Sequence, residues 1–320
     1  MMKVSEVRFF MLELVNLSKR FKQFYAVKNL NMYVEKGEIV GLLGPNGAGK
    51  STAISMLSTL IDPTEGDVLF EKKSVLKNPS PLRKVTGIVP QEIALYDSLT
   101  AEENLSFFGR IYRLSGNVLQ ERIEEVLEII GLTDRRKEVV QKFSGGMKRR
   151  LNIGVALLHQ PKILIMDEPT VGIDPQSRNY ILETVKQLNK ERGMTILYTS
   201  HYMEEVEFLC DRIYIMDQGN VIAVGTKEEI KDLLSSEQAI HIEAELLNED
   251  FVHRLREEPT IKEVLIEKET VTLIVPEEIN VFQLVTELAS QSKVQLKAVN
   301  VKSPTLEDVF LHLTGKALRD

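Results

Sequence analysis

Residues 44 to 52 read Gly-Pro-Asn-Gly-Ala-Gly-Lys-Ser-Thr, and no other stretch of the 320-residue chain limits its chemistry so tightly. Gly44, Gly49, Lys50 and Ser51 satisfy the phosphate-loop spacing G-x-x-x-x-G-K-[ST]. Glycines let the backbone bend closely around an oxyanion and aim successive N–H groups inward. Lys50 adds a cation for the β- and γ-phosphates, and the Ser51 hydroxyl suits Mg2+. Glu38 to Leu43 predicts an apolar strand entering the loop. Ser51 to Leu60 predicts the helix leaving it, whose N-terminus favours a phosphate. The loop as a whole, with Pro45, Asn46, Gly47, Ala48 and Thr52, implies a bound nucleoside triphosphate.

Two further clusters bear on the same chemistry. Ile163 to Met166 is an apolar run followed by Asp167 and Glu168. Neighbouring side chains on a strand point to opposite sides, so Asp167 is the expected Mg2+ partner and Glu168 the expected general base. Phe143-Ser144-Gly145-Gly146-Met147 precedes a helix expected from about Lys148 through His159. A serine and two glycines at a helix start offer a hydroxyl, exposed N–H groups and a positive dipole end, a second anion site; taken alone, the motif also reads as a plain capped turn. The second site has no lysine or metal ligand of its own. A head-to-tail pair of subunits resolves this, with Ser144 and Gly146 of one touching the γ-phosphate held by Lys50 of the other.

Positioning these groups requires a core of parallel strands. Ile39 to Leu43, Ile163 to Met166, Thr195 to Thr199 and Arg212 to Met216 are candidate strands alternating with helices, which predicts a parallel sheet covered on both faces. Between Thr100 and Gln160 the strand pattern vanishes, while Leu119, Ile123, Val126, Leu127 and Ile130 recur at helical spacing. That marks a helical insertion. Asp217-Gln218-Gly219-Asn220 predicts a hairpin turn closing the first domain.

Charge marks the boundary. Residues 1–225 hold 29 Lys and Arg against 28 Asp and Glu, and residues 226–320 hold 11 against 19. Past Gly225 the order of expected elements is β-α-β-β-α-β, a ferredoxin-like arrangement. Its strands are Ala239–Leu246, Ile261–Glu267, Val271–Val275 and Val294–Val301; its helices are Asn248–Glu257 and Ile279–Ser290. A last helix is expected with Ser303 as N-cap, Pro304 at its first position and Gly315 at its end, its apolar stripe being Leu306, Val309, Phe310 and Leu313.

A net charge of −7 argues against a duplex nucleic-acid partner, which needs a basic face. No apolar run approaches the ~20 residues that span a bilayer. The start, Met1 to Phe10, lacks the apolar core of a signal peptide. The single cysteine, Cys210, excludes an intrachain disulfide and reads as a small buried hydrophobe. Lys148-Arg149-Arg150 reads as a solvated helix face.

With these motifs in place, Met11 to Gly225 resembles the nucleotide-binding subunit of an ATP-binding cassette (ABC) transporter. In that family's terms Gly44–Thr52 resembles Walker A, Ile163–Glu168 Walker B and Phe143–Met147 the signature loop. The resemblance implies further roles. Gln91, in Ile88-Val89-Pro90-Gln91-Glu92, looks like the glutamine that senses metal, attacking water and the membrane partner. Asp174, in Val171-Gly172-Ile173-Asp174, looks like the loop aspartate that reaches across the dimer. His201 looks like the switch histidine at the γ-phosphate. Phe21, 29 positions before Lys50, looks like the aromatic that stacks on adenine. Met147 and Val171 depart from the family's common residues.

The implied fold is an α/β P-loop NTPase (RecA-like) core with an ABC β-subdomain and an inserted α-helical subdomain at about 97–160, all within 1–225. A small α+β ferredoxin-like accessory domain follows over 226–320. The implied catalytic set is Glu168, His201, Gln91 and Lys50, with Phe21, the loop 44–52, Ser144, Gly145, Gly146 and Asp174 binding ATP and with Ser51, Gln91 and Asp167 at Mg2+. Ser200 to Glu205 and Pro304 to Phe310 are similar to the exporter branch that includes drug and antibiotic resistance ATPases. That implies efflux of a drug, antibiotic, lipid or ion through separate transmembrane permease subunits. The ATPase then works as a homodimer, or as a heterodimer with a related subunit, at the cytoplasmic face of the membrane. A soluble ABC-class ATPase acting on ribosomes or DNA is the alternative. A GTPase fits worse, because Asn189-Lys190-Glu191-Arg192 lacks the final acid of the guanine motif.

Overall fold

The computed structural model describes residues 10–234, 237–245, 247–267, 270–276, 281–302 and 305–314. The chain divides into two compact units, Met1–Ile222 and Ala223–Asp320.

In the first unit, β1 (Phe10–Phe21) and β2 (Phe24–Glu35) form an antiparallel hairpin whose register sets Leu12 against Val34, Leu14 against Met32 and Leu17 against Leu30. Lys22, with φ 54°, turns the hairpin tip. Next, β3 (Ile39–Leu43) runs into α1 (Lys50–Leu57), and β4 (Glu65–Phe70) and β5 (Lys73–Ser74) join the hairpin in a sheet of order β2-β1-β4-β5. This antiparallel sheet shares one apolar cluster with α1 and β3, including Leu12, Leu30, Leu42 and Met56.

Downstream come α2 (Ser80–Val85), β6 (Thr86–Val89), α3 (Ala101–Ile111), α4 (Gly116–Ile129) and α5 (Gly145–Leu157). They are followed by β7 (Ile163–Asp167), α6 (Pro175–Arg192), β8 (Thr195–Ser200), α7 (Met203–Leu209), β9 (Arg212–Asp217) and β10 (Asn220–Gly225). The main sheet has the order β10-β9-β3-β8-β7-β6, and every pairing from β9 to β6 is parallel. Every residue of β3, β7 and β8 is buried, as a parallel sheet covered on both faces requires. Gln218 (φ 47°) and Gly219 (φ 80°) make the two-residue turn between β9 and β10, the left-handed pair a tight hairpin needs. The helical insertion is present as α3 to α5, and all five apolar residues expected of α4 and its cap are buried.

The second unit holds α8 (Lys227–Lys231), β11 (Glu237–Ala244), α9 (Glu249–Glu257), β12 (Glu263–Glu267), β13 (Thr270–Pro276), α10 (Val281–Gln291), β14 (Leu296–Lys302) and α11 (Leu306–Thr314). Its sheet runs β12-β13-β11-β14 with every pairing antiparallel, the ferredoxin-like order. One face packs Ile240 and Ile242 against Phe251 and Leu255 of α9 and Val285 of α10.

The last helix differs from its sequence reading. It begins at Leu306, because Thr305 and Asp308 form a reciprocal cap: Asp308 N–H donates to Thr305 Oγ1 at 3.2 Å and Thr305 N–H to Asp308 Oδ2 at 2.8 Å. Ser303, Pro304 and Gly315, expected at its ends, lie outside the described residues, as does Leu246 of the expected strand. Asp308 and Leu311 are buried with Leu306, Val309 and Phe310, so the inner face is rotated away from Leu313, which is 39% exposed.

Candidate functional site

The phosphate loop is built where β3 ends. A Cβ on Gly44 would meet the Met216 carbonyl oxygen at 2.3 Å, and one on Gly49, where φ is 105°, would meet the Ala26 oxygen at 2.4 Å. Only glycine fits either position, because β9 and β2 press their backbones against the loop. Lys50 opens α1 and is 4% exposed; its Nζ donates to the carbonyls of Gly44 at 2.7 Å and Pro45 at 3.2 Å and pairs with Glu168 Oε1 at 2.9 Å. Helix α1 starts at Lys50 rather than Ser51 and ends at Leu57, three residues short of the expected end.

The paired carboxylates sit differently from the expected alternation. Asp167 is the last residue of β7, and Glu168 lies beyond it with φ 45°, a left-handed conformation that costs a non-glycine residue about 1 kcal/mol or more. That turn brings both carboxylates towards the phosphate loop. Asp167 Oδ1 accepts from Ser51 Oγ at 3.3 Å and Thr199 Oγ1 at 2.7 Å, while Glu168 Oε1 takes Lys50. Thr199 Oγ1 also accepts the Glu168 N–H at 2.8 Å, holding the strained residue in place. Glu168 Oε2 lies 3.1 Å from His201 Nδ1. Lys50, Ser51, Asp167, Glu168 and His201 therefore form one hydrogen-bonded chain. Thr199 belongs with them and is not among the sequence candidates; its place directly before Ser200-His201 is the signal that could have found it.

The Ser144 turn corrects the expected helix start. Helix α5 begins at Gly145, not near Lys148, because Ser144 caps it, its hydroxyl accepting the Met147 N–H at 3.2 Å. Both glycines thus lie inside the first turn. Ser144 and Gly145 are exposed. Gly146 is buried against α6: a Cβ there would stand 2.0 Å from Ser177 Oγ and 3.2 Å from Asp174 Oδ2. Asp174 caps α6, accepting the Ser177 N–H at 2.8 Å, and that bond holds its carboxyl below the usual range. The two loops therefore touch through Gly146, Ser177 and Asp174.

The remaining expected residues stand apart from the Lys50 chain. Phe21 is 50% exposed at the hairpin tip, five residues from the Ala26 carbonyl that contacts Gly49. Its register partner across the turn, Phe24, is more exposed still. The Gln91 side chain is exposed just past β6. Reading Lys148-Arg149-Arg150 as a solvated face fails at Arg149, which is 5% exposed, because its guanidinium reaches inward to backbone carbonyls.

Among the described residues no cluster of three His, Cys, Asp or Glu side chains is placed to hold a metal by itself. Ser51 Oγ and Asp167 Oδ1 converge within 3.3 Å, a small set of hard oxygens. That set fits Mg2+, which protein sites hold through one or two oxygens while substrate phosphates and water complete its shell.

Comparison with known proteins agrees with this geometry. The family model described as "ABC transporter" matches residues 27–171, and the model "ATP-binding protein DrrA1-3-like, C-terminal domain" matches 225–314. The linearmycin resistance ATP-binding protein LnrL of Bacillus subtilis is 49% identical over 97% of this chain and 100% of its own length. The doxorubicin resistance ATP-binding protein DrrA of Mycobacterium tuberculosis is 33% identical over 90% and 88%. The dimeric cassette MJ0796 in a post-hydrolysis state bound to ADP and Pi matches with TM-score 0.61 and 30% identity, over 68% of this chain and 98% of that one.

Proposed function

The chain belongs to the ABC transporter family as an ATP-binding, ATP-hydrolysing subunit, and from that membership we propose that it powers export of an antibiotic or similar drug through separate transmembrane permease subunits. The antibiotic class comes from the relatives' names, which also disfavour a soluble ATPase acting on ribosomes or DNA. Family members work as dimers with membrane permease partners. Among the described residues no helix is long and apolar enough to cross a membrane, which fits a subunit held at the cytoplasmic face by those partners. We assign the ATP chemistry to residues 1–225, with the helical subdomain at about 97–160, and an accessory role to 226–320.

The observation that carries this reading is the hydrogen-bonded chain Lys50–Glu168–His201 beside Ser51 and Asp167. A triphosphate entering the loop replaces Glu168 as the partner of Lys50. The freed carboxylate then accepts the proton of the attacking water while His201, tethered to it, faces the γ-phosphate. Mg2+ on Ser51 and Asp167, with Gln91 at its open side, would neutralise charge on the β- and γ-phosphates. Phe21 offers a ring for adenine. The exposed Ser144 and Gly145, with Gly146 buried behind them against α6, would cap the γ-phosphate of a second copy, and Asp174 stands beside them. A homodimer is the simplest assembly, and a heterodimer with a related subunit uses the same contacts.

The test is the full chain carrying Glu168→Gln. It should bind a fluorescent ATP analogue with unchanged affinity, lose turnover, and elute as an ATP-dependent dimer. Wild-type turnover would remove Glu168 from its role. A strictly monomeric ATP-loaded variant that engages no membrane protein would overturn the sandwich.

A further inference from the structure

The helix that opens at the Ser144 turn grips the segment around Gln91 by its backbone. Arg149 of α5 donates from Nη1 to the Pro90 carbonyl at 2.8 Å and from Nη2 to the Gln91 carbonyl at 2.6 Å. One turn further along the same helix, buried Asn152 accepts the Ala94 N–H through Oδ1 at 3.3 Å. Strand β6 ends at Val89, so past that point the guanidinium fork takes the carbonyls that a ladder would otherwise satisfy.

Arg149 is a poor choice if the only need is stability. Its charge is buried against carbonyl oxygens, and desolvation pulls its pKa down. Its Nε has no hydrogen-bond partner among the described residues. What the fork does supply is two fixed distances. It reaches them from a helix packed closely against the end of α4: a Cβ on Gly154 would lie 2.8 Å from Ile130 Cδ1. Five residues, about 8 Å of helix rise, separate the fork from Ser144.

We propose that Arg149 is a positioning residue for Gln91, locking its loop to the Ser144 helix so that the two phosphate-sensing groups move as one body. The inference rests on the roles given above to Gln91 and Ser144, and adds the residue that joins them. A displacement of Gln91 by the nucleotide in its own subunit is then delivered to the turn that caps the nucleotide of the second copy.

The test is a double-mutant cycle on the full chain, using Arg149→Gln, Gln91→Ala and the pair. Arg149→Gln should lower the basal ATPase kcat about tenfold, with KM for ATP and the affinity for a fluorescent ATP analogue within twofold of wild type. Gln91→Ala should lower kcat comparably, and the double variant should be no slower than Gln91→Ala alone. A purely structural Arg149 would instead lower the melting temperature and leave kcat of the folded protein intact. Wild-type kcat in Arg149→Gln, or multiplying losses in the double variant, overturns the proposal. Wild-type kcat in Gln91→Ala sinks the role of Gln91 itself, and this proposal with it, by a separate signature. Should Arg149→Gln fail to fold, Arg149→Lys keeps the charge with one donor arm and carries the same cycle, with an intermediate kcat expected.

Discussion

Glu168 stands between two nitrogens of different kinds: Lys50 Nζ is 2.9 Å from one carboxylate oxygen and His201 Nδ1 is 3.1 Å from the other. Lys50 and Glu168 are both almost wholly buried. A buried pair is weak evidence of net stabilisation, but removing one member strands the other charge. Lys50→Met should therefore cost about 3 kcal/mol of unfolding free energy, in addition to abolishing nucleotide binding. Lys50→Met/Glu168→Gln should regain much of that stability and none of the binding. Urea titrations of the two variants check this, and equal stabilities would mean that the pair is solvated in solution.

Gly146 gives the second prediction. A Cβ at this position would approach Ser177 Oγ to 2.0 Å, which leaves no room for a methyl group unless α6 or the Ser144 turn shifts. Gly146→Ala should cost about 1–3 kcal/mol through overpacking. Its ATP turnover should fall while monomer nucleotide binding persists, since Lys50 and Ser51 are untouched. Gly146→Ala/Ser177→Gly removes the colliding side chain and should recover stability. Recovery of turnover along with it would show that the spacing between the Ser144 turn and the Asp174 cap is what hydrolysis requires.

The grouping of the site's side chains was legible in the sequence because it depends on local spacing. Asp167, Glu168 and His201 lie at or just past the carboxyl ends of strands readable as apolar runs, Lys50 and Ser51 open the helix that follows another, and the sheet brings those ends together. The ferredoxin-like order of the second unit followed from element order alone. Features set by long-range contact were not legible. The left-handed turn at Glu168 depends on Thr199, thirty-one residues away, offering an acceptor to its N–H. Arg149 carries the same composition signal as its half-buried neighbour Lys148, and the arrival of Pro90 and Gln91 beside it decides its deeper burial. The start of α11 turned on the reciprocal cap of Thr305 and Asp308.

Acid should loosen the helical insertion through Glu102. Arg136 donates to Glu102 Oε1 at 2.9 Å and Oε2 at 3.2 Å, and that bonding holds the Glu102 carboxyl below its usual range. A depressed pKa in the folded state means that the contribution is complete above the unfolded-state value, about 4.3, and is lost as pH falls through the folded value. The pair is partly solvated, so its worth is below about 1 kcal/mol. Glu102→Gln should thus be less stable than wild type at pH 7, and the gap should narrow as pH falls below the unfolded-state value of about 4.3. Thermal melts at several pH values test it, and a gap that does not change with pH would assign the effect to packing.

Glu205, on α7, is a further buried carboxylate close to His201. It is 2% exposed, and its Oε2 accepts from Thr170 Oγ1 at 2.8 Å, Tyr198 OH at 2.9 Å and Ser200 Oγ at 2.9 Å. Burial, reinforced by the Glu205 charge, raises the Tyr198 pKa well above the ordinary phenol value, so Tyr198 remains a donor. Ser200 Oγ in turn accepts the Tyr202 N–H at 2.9 Å, which fixes the backbone on both sides of His201. Thr170 lies two residues past Glu168, so one carboxylate braces the turns that carry both residues. Hydrogen bonds to a charged acceptor contribute about 1.5–3 kcal/mol each and are not additive. Glu205→Ala should accordingly cost about 3–5 kcal/mol, by leaving three buried hydroxyls without their shared acceptor. Glu205→Gln keeps an acceptor oxygen and should cost less than half of that, with turnover reduced because the Ser200–Tyr202 turn loses its charged anchor. Denaturant unfolding of the two variants measures the difference, and equal costs would show that the negative charge itself contributes nothing to holding His201.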